Sequence, residues 1–358
     1  YAIIFILTWI KWPFGGGQVE LFIQMLVTLF LFDTLYTAIA TSLYVMPYAM
    51  AVSNEARSGI FLVKIAFSVI SLAVPLVLFP LVRPDVGQDA TQFRLIMTGV
   101  GILAFLVIFI STFMYEEKVV NESEEQVGIF KSIAACFRNK PFVIFEVLSF
   151  SVIFIQTILM QGITYYFDEF EVPMYAAYGG LLAGAVAGVI VFARQVNSWG
   201  LRKCTIIMSA IFATGCLLMT FFGGHAIIAV LGFFAAGVGF AGGMYLVPLI
   251  NGDVIDYDET VSGIRREGMY AGVNSLITKP AISFANSAFL MIARAFGYDT
   301  ELQAGLQSPL AKQGVLVAWM AIPAVLLILT GISMKFYPLY GESWSKAKKE
   351  LEEKHRLV

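Results

Sequence analysis

Two ionisable side chains sit deep inside long apolar runs, where a charge costs several kcal/mol unless it is paired or put to use. Lys279 lies about eleven residues from one end of its run, roughly 16 Å deep at the helical rise, and Asp33 lies about thirteen residues into another. Both are expected near the middle of a bilayer. Each shares a helical face with other polar groups: Ser275, Lys279, Ser283 and Asn286 on one run, Asp33, Thr37, Thr41 and Tyr44 on the other. Thr157, Gln161 and Tyr165 make a third stripe. Hydroxyls, amides and aromatic faces together suit a polyhydroxylated ligand, held by several hydrogen bonds and by stacking. Lys279 and Asp33 therefore read either as a structural ion pair between helices or as parts of a binding or ion-coupling site.

Lys64 and Glu146 lie only about six residues inside a boundary, within snorkelling reach of water, so a site role and an anchoring role are both open. Arg294, near a helix end, reads as an anchor. Pro280, next to Lys279, leaves a carbonyl without its usual donor and is expected to kink the helix at mid-depth, as a structural bend or as part of a gate. Small residues recur at every fourth position, in Ala176, Gly180, Gly184 and Gly188 and again in Ala235, Gly239 and Gly243, where backbones can approach closely. Cys136, Cys204 and Cys216 imply packing rather than a disulfide framework.

The elements that must position these groups are membrane helices. Of the 358 residues 59% are hydrophobic and 13% charged, and the mean hydropathy is +0.80, a composition for which water is not the main solvent. Apolar runs long enough to cross ~30 Å of hydrocarbon recur from end to end. They cover 1–14, 20–50, 59–82 and 93–115, then 141–167, 175–196, 205–222, 226–250, 269–295 and 315–337. The fold class expected is all-α, a polytopic transmembrane bundle with about ten helices. Tyr1 opens inside an apolar stretch, so two further helices are expected before it, giving twelve in a six-plus-six arrangement.

Orientation follows from the connections. Arg57, Lys118, Lys131, Arg138, Lys140, Arg202, Lys203, Arg265, Arg266, Lys335 and the basic residues of the tail fall on one side, against Lys11, Arg83, Arg94 and Lys312 on the other. The first side is read as cytoplasmic. The domains expected are an N-terminal bundle over 1–115, a central cytoplasmic loop over 116–140, a C-terminal six-helix bundle over 141–337 and a cytoplasmic tail over 338–358, in a multi-pass protein of the plasma membrane. The tail reads as a short, charged, solvated helix.

The most specific motif runs from Pro248 to Lys279. Pro248 is followed by Asp253, Val254, Ile255, Asp256 and Tyr257, then by Gly263, Arg265, Arg266, Glu267 and Gly268, with Lys279 beyond. This segment resembles the glycoside–pentoside–hexuronide cation symporters, the melibiose-permease-like branch of the major facilitator superfamily. Tyr165-Tyr166 and the Trp199-Gly200-Leu201-Arg202-Lys203 turn resemble the same family more loosely. The resemblance implies a major facilitator-type bundle that alternates in access, with uptake coupled to Na+, Li+ or H+. It implies that Pro248 ends a helix, that Lys64 has a gating or sugar-site role, and that the carboxylates holding the coupling cation precede Tyr1, so the metal ligands are unknown. Where sugar-transporting members place an Asp before a Pro in the fourth helix, this chain has Ala40-Thr41-Ser42.

The solute-binding and cation-binding residues expected are thus Lys279, Asp33, Thr37, Tyr44, Lys64, Gln161, Tyr165, Ser275 and Asn286. The gating residues expected are Asp253, Asp256, Arg265, Arg266 and Glu267, on a cytoplasmic loop whose two signs of charge form ion pairs, and Pro280 within the helix beyond it. The partners expected are a small solute, a sugar or glycoside, and the bilayer, with no cofactor and no obligate protein partner. A net charge of −2 without a basic patch excludes nucleic acid. No His-Glu-x-x-His motif speaks for a membrane enzyme, and no filter-like loop for a channel. A carrier of amphipathic lipids stays open as the second reading.

Overall fold

The computed structural model describes residues 1–10, 12, 17–51, 53–82, 84, 89–114 and 129–356. Lys11, Arg83, Lys118 and the first half of the expected central loop lie outside them. Every regular element among the described residues is helical. They are α1 (Ala2–Trp9), α2 (Gln18–Met50), α3 (Asn54–Val82), α4 (Thr91–Phe113), α5 (Ile129–Arg138), α6 (Lys140–Glu169), α7 (Met174–Phe222), α8 (Ala226–Ser262), α9 (Glu267–Ala295), α10 (Pro309–Leu316), α11 (Ile322–Met334) and α12 (Gly341–Arg356). A π-turn, Val317–Ala321, joins α10 to α11 just before Pro323, which has no N–H to continue the ladder. Among the described residues seven helical spans, with α10 and α11 counted as one rod, are long and apolar enough to cross a membrane.

The apolar runs become α1 to α4, α6, the two halves of α7, α8, α9 and the α10–α11 rod. Four expectations need correction. The 116–140 segment is not loop throughout, because Ile129–Arg138 forms α5. α7 carries two runs, and its path breaks at Gly200, whose φ of 74° a residue with a Cβ rarely adopts. Pro248 does not end its helix: α8 continues through it to Ser262 and is closed by left-handed Gly263. The motif residues Asp253 and Asp256 therefore stand on helix, not loop. The charged tail is helical, but it is docked rather than solvated, as described below.

Two compact units divide the chain, Tyr1–Met50 with Val63–Val119, and Ala51–Leu62 with Val120–Val358. In the first, α1 packs on α2 and α4. Gln24, buried in α2, donates to the carbonyls of Leu7 at 3.2 Å and Ile10 at 2.7 Å, satisfying acceptors that the end of α1 leaves open. Tyr1 stacks on Phe32 with ring centroids 4.9 Å apart.

The second unit is built on α8, which lies between the two halves of α7. Gly180, Gly184 and Gly188 face the α8 backbone at Val230, Phe234 and Val238, and a Cβ on Gly184 would collide with the Phe234 carbonyl. The other stripe meets a different surface: Ala235 faces Gly215 and Gly239 faces Phe212, both on the second half of α7. An aromatic core of Tyr166, Phe233 and Trp319 closes the unit. Its polar atoms are satisfied, Tyr166 donating to the Gly223 carbonyl at 2.6 Å and Trp319 to the Leu159 carbonyl at 3.0 Å.

Candidate functional site

Helices α6 and α9 pack along their length. Asn139 caps α6, with Pro141 in its first turn, and donates from Nδ2 to the Tyr270 hydroxyl at 2.8 Å. Further along, Ser149 donates to Asn274 Oδ1 at 2.8 Å, and further still Gln161 Nε2 reaches the Asn286 carbonyl at 3.4 Å. The structure thus brings Gln161 and Asn286 together. Tyr165 stacks obliquely on Phe289 at 5.0 Å and meets Tyr298 edge-on at 5.6 Å. Ser275 is half-buried, while Lys279, Ser283 and Asn286 are exposed on α9, which runs through Pro280 as one helix of 29 residues. These groups form a polar strip of donors and acceptors beside aromatic rings.

The remaining expected binding residues belong to the first unit. Asp33 is exposed on α2, Thr37 and Tyr44 are half-buried there, and Tyr44 meets Tyr48 edge-on at 5.6 Å. Lys64 is exposed on α3.

The charges of the Asp253–Glu267 segment assemble into one buried network. Arg57, at the start of α3, grips Asp256 with both terminal nitrogens, at 2.6 and 2.8 Å, and donates from Nε to the Ala51 carbonyl at 2.7 Å. Both side chains of the pair are 0% exposed. Arg265 binds Glu259 at 2.6 Å, Glu267 at 2.5 Å and Asp256 at 3.2 Å. Arg266 holds Asp258 in a two-point contact at 2.8 and 2.9 Å. Each carboxylate taken from water here has a cation and a directed hydrogen bond, the condition under which buried charge is tolerated. Arg265, between α8 and α9, is partly desolvated, yet its surrounding carboxylates hold its pKa above the ordinary value.

Sequence reasoning passed over four members of this network. Arg57 was read only as a cytoplasmic charge, and Trp344, Lys348 and His355 as parts of a solvated tail. Lys348 pairs with Asp253 and, at 3.2 Å, with Asp256. Trp344 donates to Asp253 at 3.1 Å, and His355 Nε2 meets Glu259 at 2.6 Å. A signal existed: Trp344, Lys348, Leu351 and His355 recur at helical spacing on one face of α12. Nothing local marks Arg57, whose partner is 199 residues away.

Among the described residues no group of three or more His, Cys, Asp or Glu side chains is placed to hold a metal ion. The three cysteines are free and buried.

The family described as MFS/sugar transport protein matches residues 1–341. An isoprimeverose transporter from Lactiplantibacillus pentosus is 26% identical over 282 residues, 73% of this chain and 54% of its own length. The chain thus spans about half the length of that relative. A glucuronide carrier protein homolog from Escherichia coli (strain K12) is 20% identical over 329 residues, 90% of this chain and 70% of its own. Among solved structures, the major facilitator superfamily transporter FucP in its outward conformation superposes with a TM-score of 0.63 at 14% identity, over 94% of this chain and 81% of that one. That likeness is one of fold.

Proposed function

Because the chain belongs to the MFS/sugar transport protein family and has the all-α, membrane-spanning fold of that superfamily, we propose that it carries a sugar or glycoside across a membrane by alternating access, driven by a gradient of Na+, Li+ or H+. The observation that carries this reading is the family match over 1–341; the polar strip on α6 and α9 supplies a surface of the right chemistry. The work is transport rather than covalent catalysis. Relatives named for isoprimeverose and for a glucuronide favour glycosides over the amphipathic lipids of the second reading.

In this proposal the solute-binding and cation-binding residues are Gln161, Tyr165, Ser275, Lys279 and Asn286, together with Asp33, Thr37, Tyr44 and Lys64. Cation binding at carboxylates near Lys279 relieves a charge imbalance there and so favours the solute-accessible state, which links the two gradients. The network of Asp253, Asp256, Arg265, Arg266 and Glu267 closes one face, and Pro280 gives α9 its point of adjustment. The Lys-rich and Arg-rich end, with the tail, faces the cytoplasm of a plasma-membrane protein.

The test is uptake into proteoliposomes of a pool of glycosides, pentoses and hexuronides under imposed Na+, Li+ or H+ gradients. Accumulation that needs one gradient, and that Lys279→Ala abolishes while exchange of preloaded solute persists, supports the proposal. Absence of uptake of any sugar under any gradient rejects it, and unchanged coupled uptake in Lys279→Ala rejects the role of that lysine.

A further inference from the structure

At the end of the second unit where Lys and Arg gather, α7 and α12 flank a half-open cavity of about 960 Å³. Arg202, Lys203, Lys346 and Lys349 line it, and among the described residues none of the four pairs with a carboxylate. Lys203, Lys346 and Lys349 are exposed and Arg202 is half-buried, so these cations stay solvated where the buried ones of the neighbouring network lie with their anions. Two acids share the lining. Asp253 is already taken by Lys348 and Trp344, and Glu342 stands exposed at the first turn of α12.

Two helix starts add to the positive field. The second half of α7 begins after Gly200 and α12 begins at Gly341, and the first turn of each lines the cavity, turning the positive end of a helix dipole toward it. The aromatic groups have the character of a membrane boundary. The Arg202 guanidinium lies 4.1 Å from the Tyr340 ring centre, and Lys203 Nζ lies 5.4 Å from that of Trp199.

We propose that this cavity binds a phosphate group, presented by an anionic phospholipid headgroup or by a soluble phosphate ester. Arg202, which gives one N–H to the Lys335 carbonyl at 2.5 Å and keeps the rest of its fork, and the exposed Lys203, Lys346 and Lys349 converge with helix N-termini into a donor set that suits phosphate oxygens, and basic pockets between membrane helices take lipid headgroups in this way. An occupant bridges α7 to α12. It therefore steadies the helix that brings Lys348 and His355 to α8, and ligand supply sets how firmly the tail is held.

The test titrates the purified chain in detergent with short-chain phosphatidylglycerol and, separately, with glycerol 3-phosphate, reading the thermal unfolding midpoint against a sodium chloride control of equal ionic strength. The variant Lys346→Gln/Lys349→Gln changes only exposed positions of α12, and Lys354→Gln serves as a tail control outside the cavity. A saturable rise is expected whose half-point shifts about tenfold upward in the double variant and stays unchanged in the control. A rise with phosphatidylglycerol alone assigns the site to lipid, and a rise with glycerol 3-phosphate assigns it to a soluble ester. Equal titration of wild type and double variant, or a rise that sodium chloride reproduces, overturns the proposal.

Discussion

Arg57 and Asp256 meet as a two-point ion pair in a site closed to water, and α8 makes room for it with a glycine, since a Cβ on Gly252 would collide with the Arg57 guanidinium. Such a pair contributes modestly while intact and costs heavily when halved. Arg57→Ala and Asp256→Asn are each expected to destabilise the protein by about 3–5 kcal/mol. Arg57→Lys is expected not to restore the loss, because an ammonium cannot reproduce the fork. The double variant Arg57→Met/Asp256→Leu should unfold later than either neutralised single variant in a detergent melt. A double variant less stable than both would contradict this account.

Lys348 ties the tail to two carboxylates at once. Lys348→Gln should leave Asp253 with the Trp344 indole alone and loosen α12 from α8. Tryptic cleavage within 341–356 is then expected to accelerate several-fold relative to cleavage elsewhere, and the Trp344 emission to shift to the red. An unchanged cleavage pattern would show that the tail is held by other means.

Gly184 allows α7 to lie against the α8 backbone. Gly184→Ala is expected to cost about 1–3 kcal/mol, since the colliding atom is a main-chain carbonyl that cannot rotate away. Gly243→Ala is the matched control, because its added Cβ would find only the Val152 methyls at 3.5 Å, an ordinary contact. Equal melting of the two variants would refute the close-approach argument.

Cys136, on α5, is 0% exposed, and burial, aided by Asp258, pushes its thiol up to about 12 from an ordinary 9.0. Folding thus favours the protonated form. The linked stability is fully present below about 9 and is lost as pH rises toward 12. In a variant keeping only this cysteine, maleimide labelling at neutral pH should be negligible until denaturant is added. Rapid labelling of the folded protein would refute the burial.

Much of the fold was legible because a helix in hydrocarbon must be long, apolar and internally bonded. α2 ends at Met50 and α9 ends at Ala295, where the apolar runs end. α5 escaped notice because Ile129, Ile133 and Phe137 stand in a segment judged by its charges. α8 was cut short for a different reason. Pro248 removes one hydrogen bond but not the helix, and the acids beyond it look like loop until their cations are known. The polar strip was readable from spacing, since Gln161 and Asn286 each belong to a stripe. The Arg57 pairing was not, because a partner 199 residues distant is set by tertiary packing alone.

Since α8 passes unbroken through Pro248, the membrane span and the carboxylate cluster at its end form a single lever. At 1.5 Å per residue its 37 residues reach about 55 Å, so a tilt of about 10° around the midpoint carries each end through about 5 Å. Asp253, Asp256, Asp258 and Glu259 ride the same arm about 14 to 23 Å from its midpoint, so that tilt carries them the same way through about 2 to 4 Å and strains their bonds to groups off the arm together, most at Glu259 and least at Asp253.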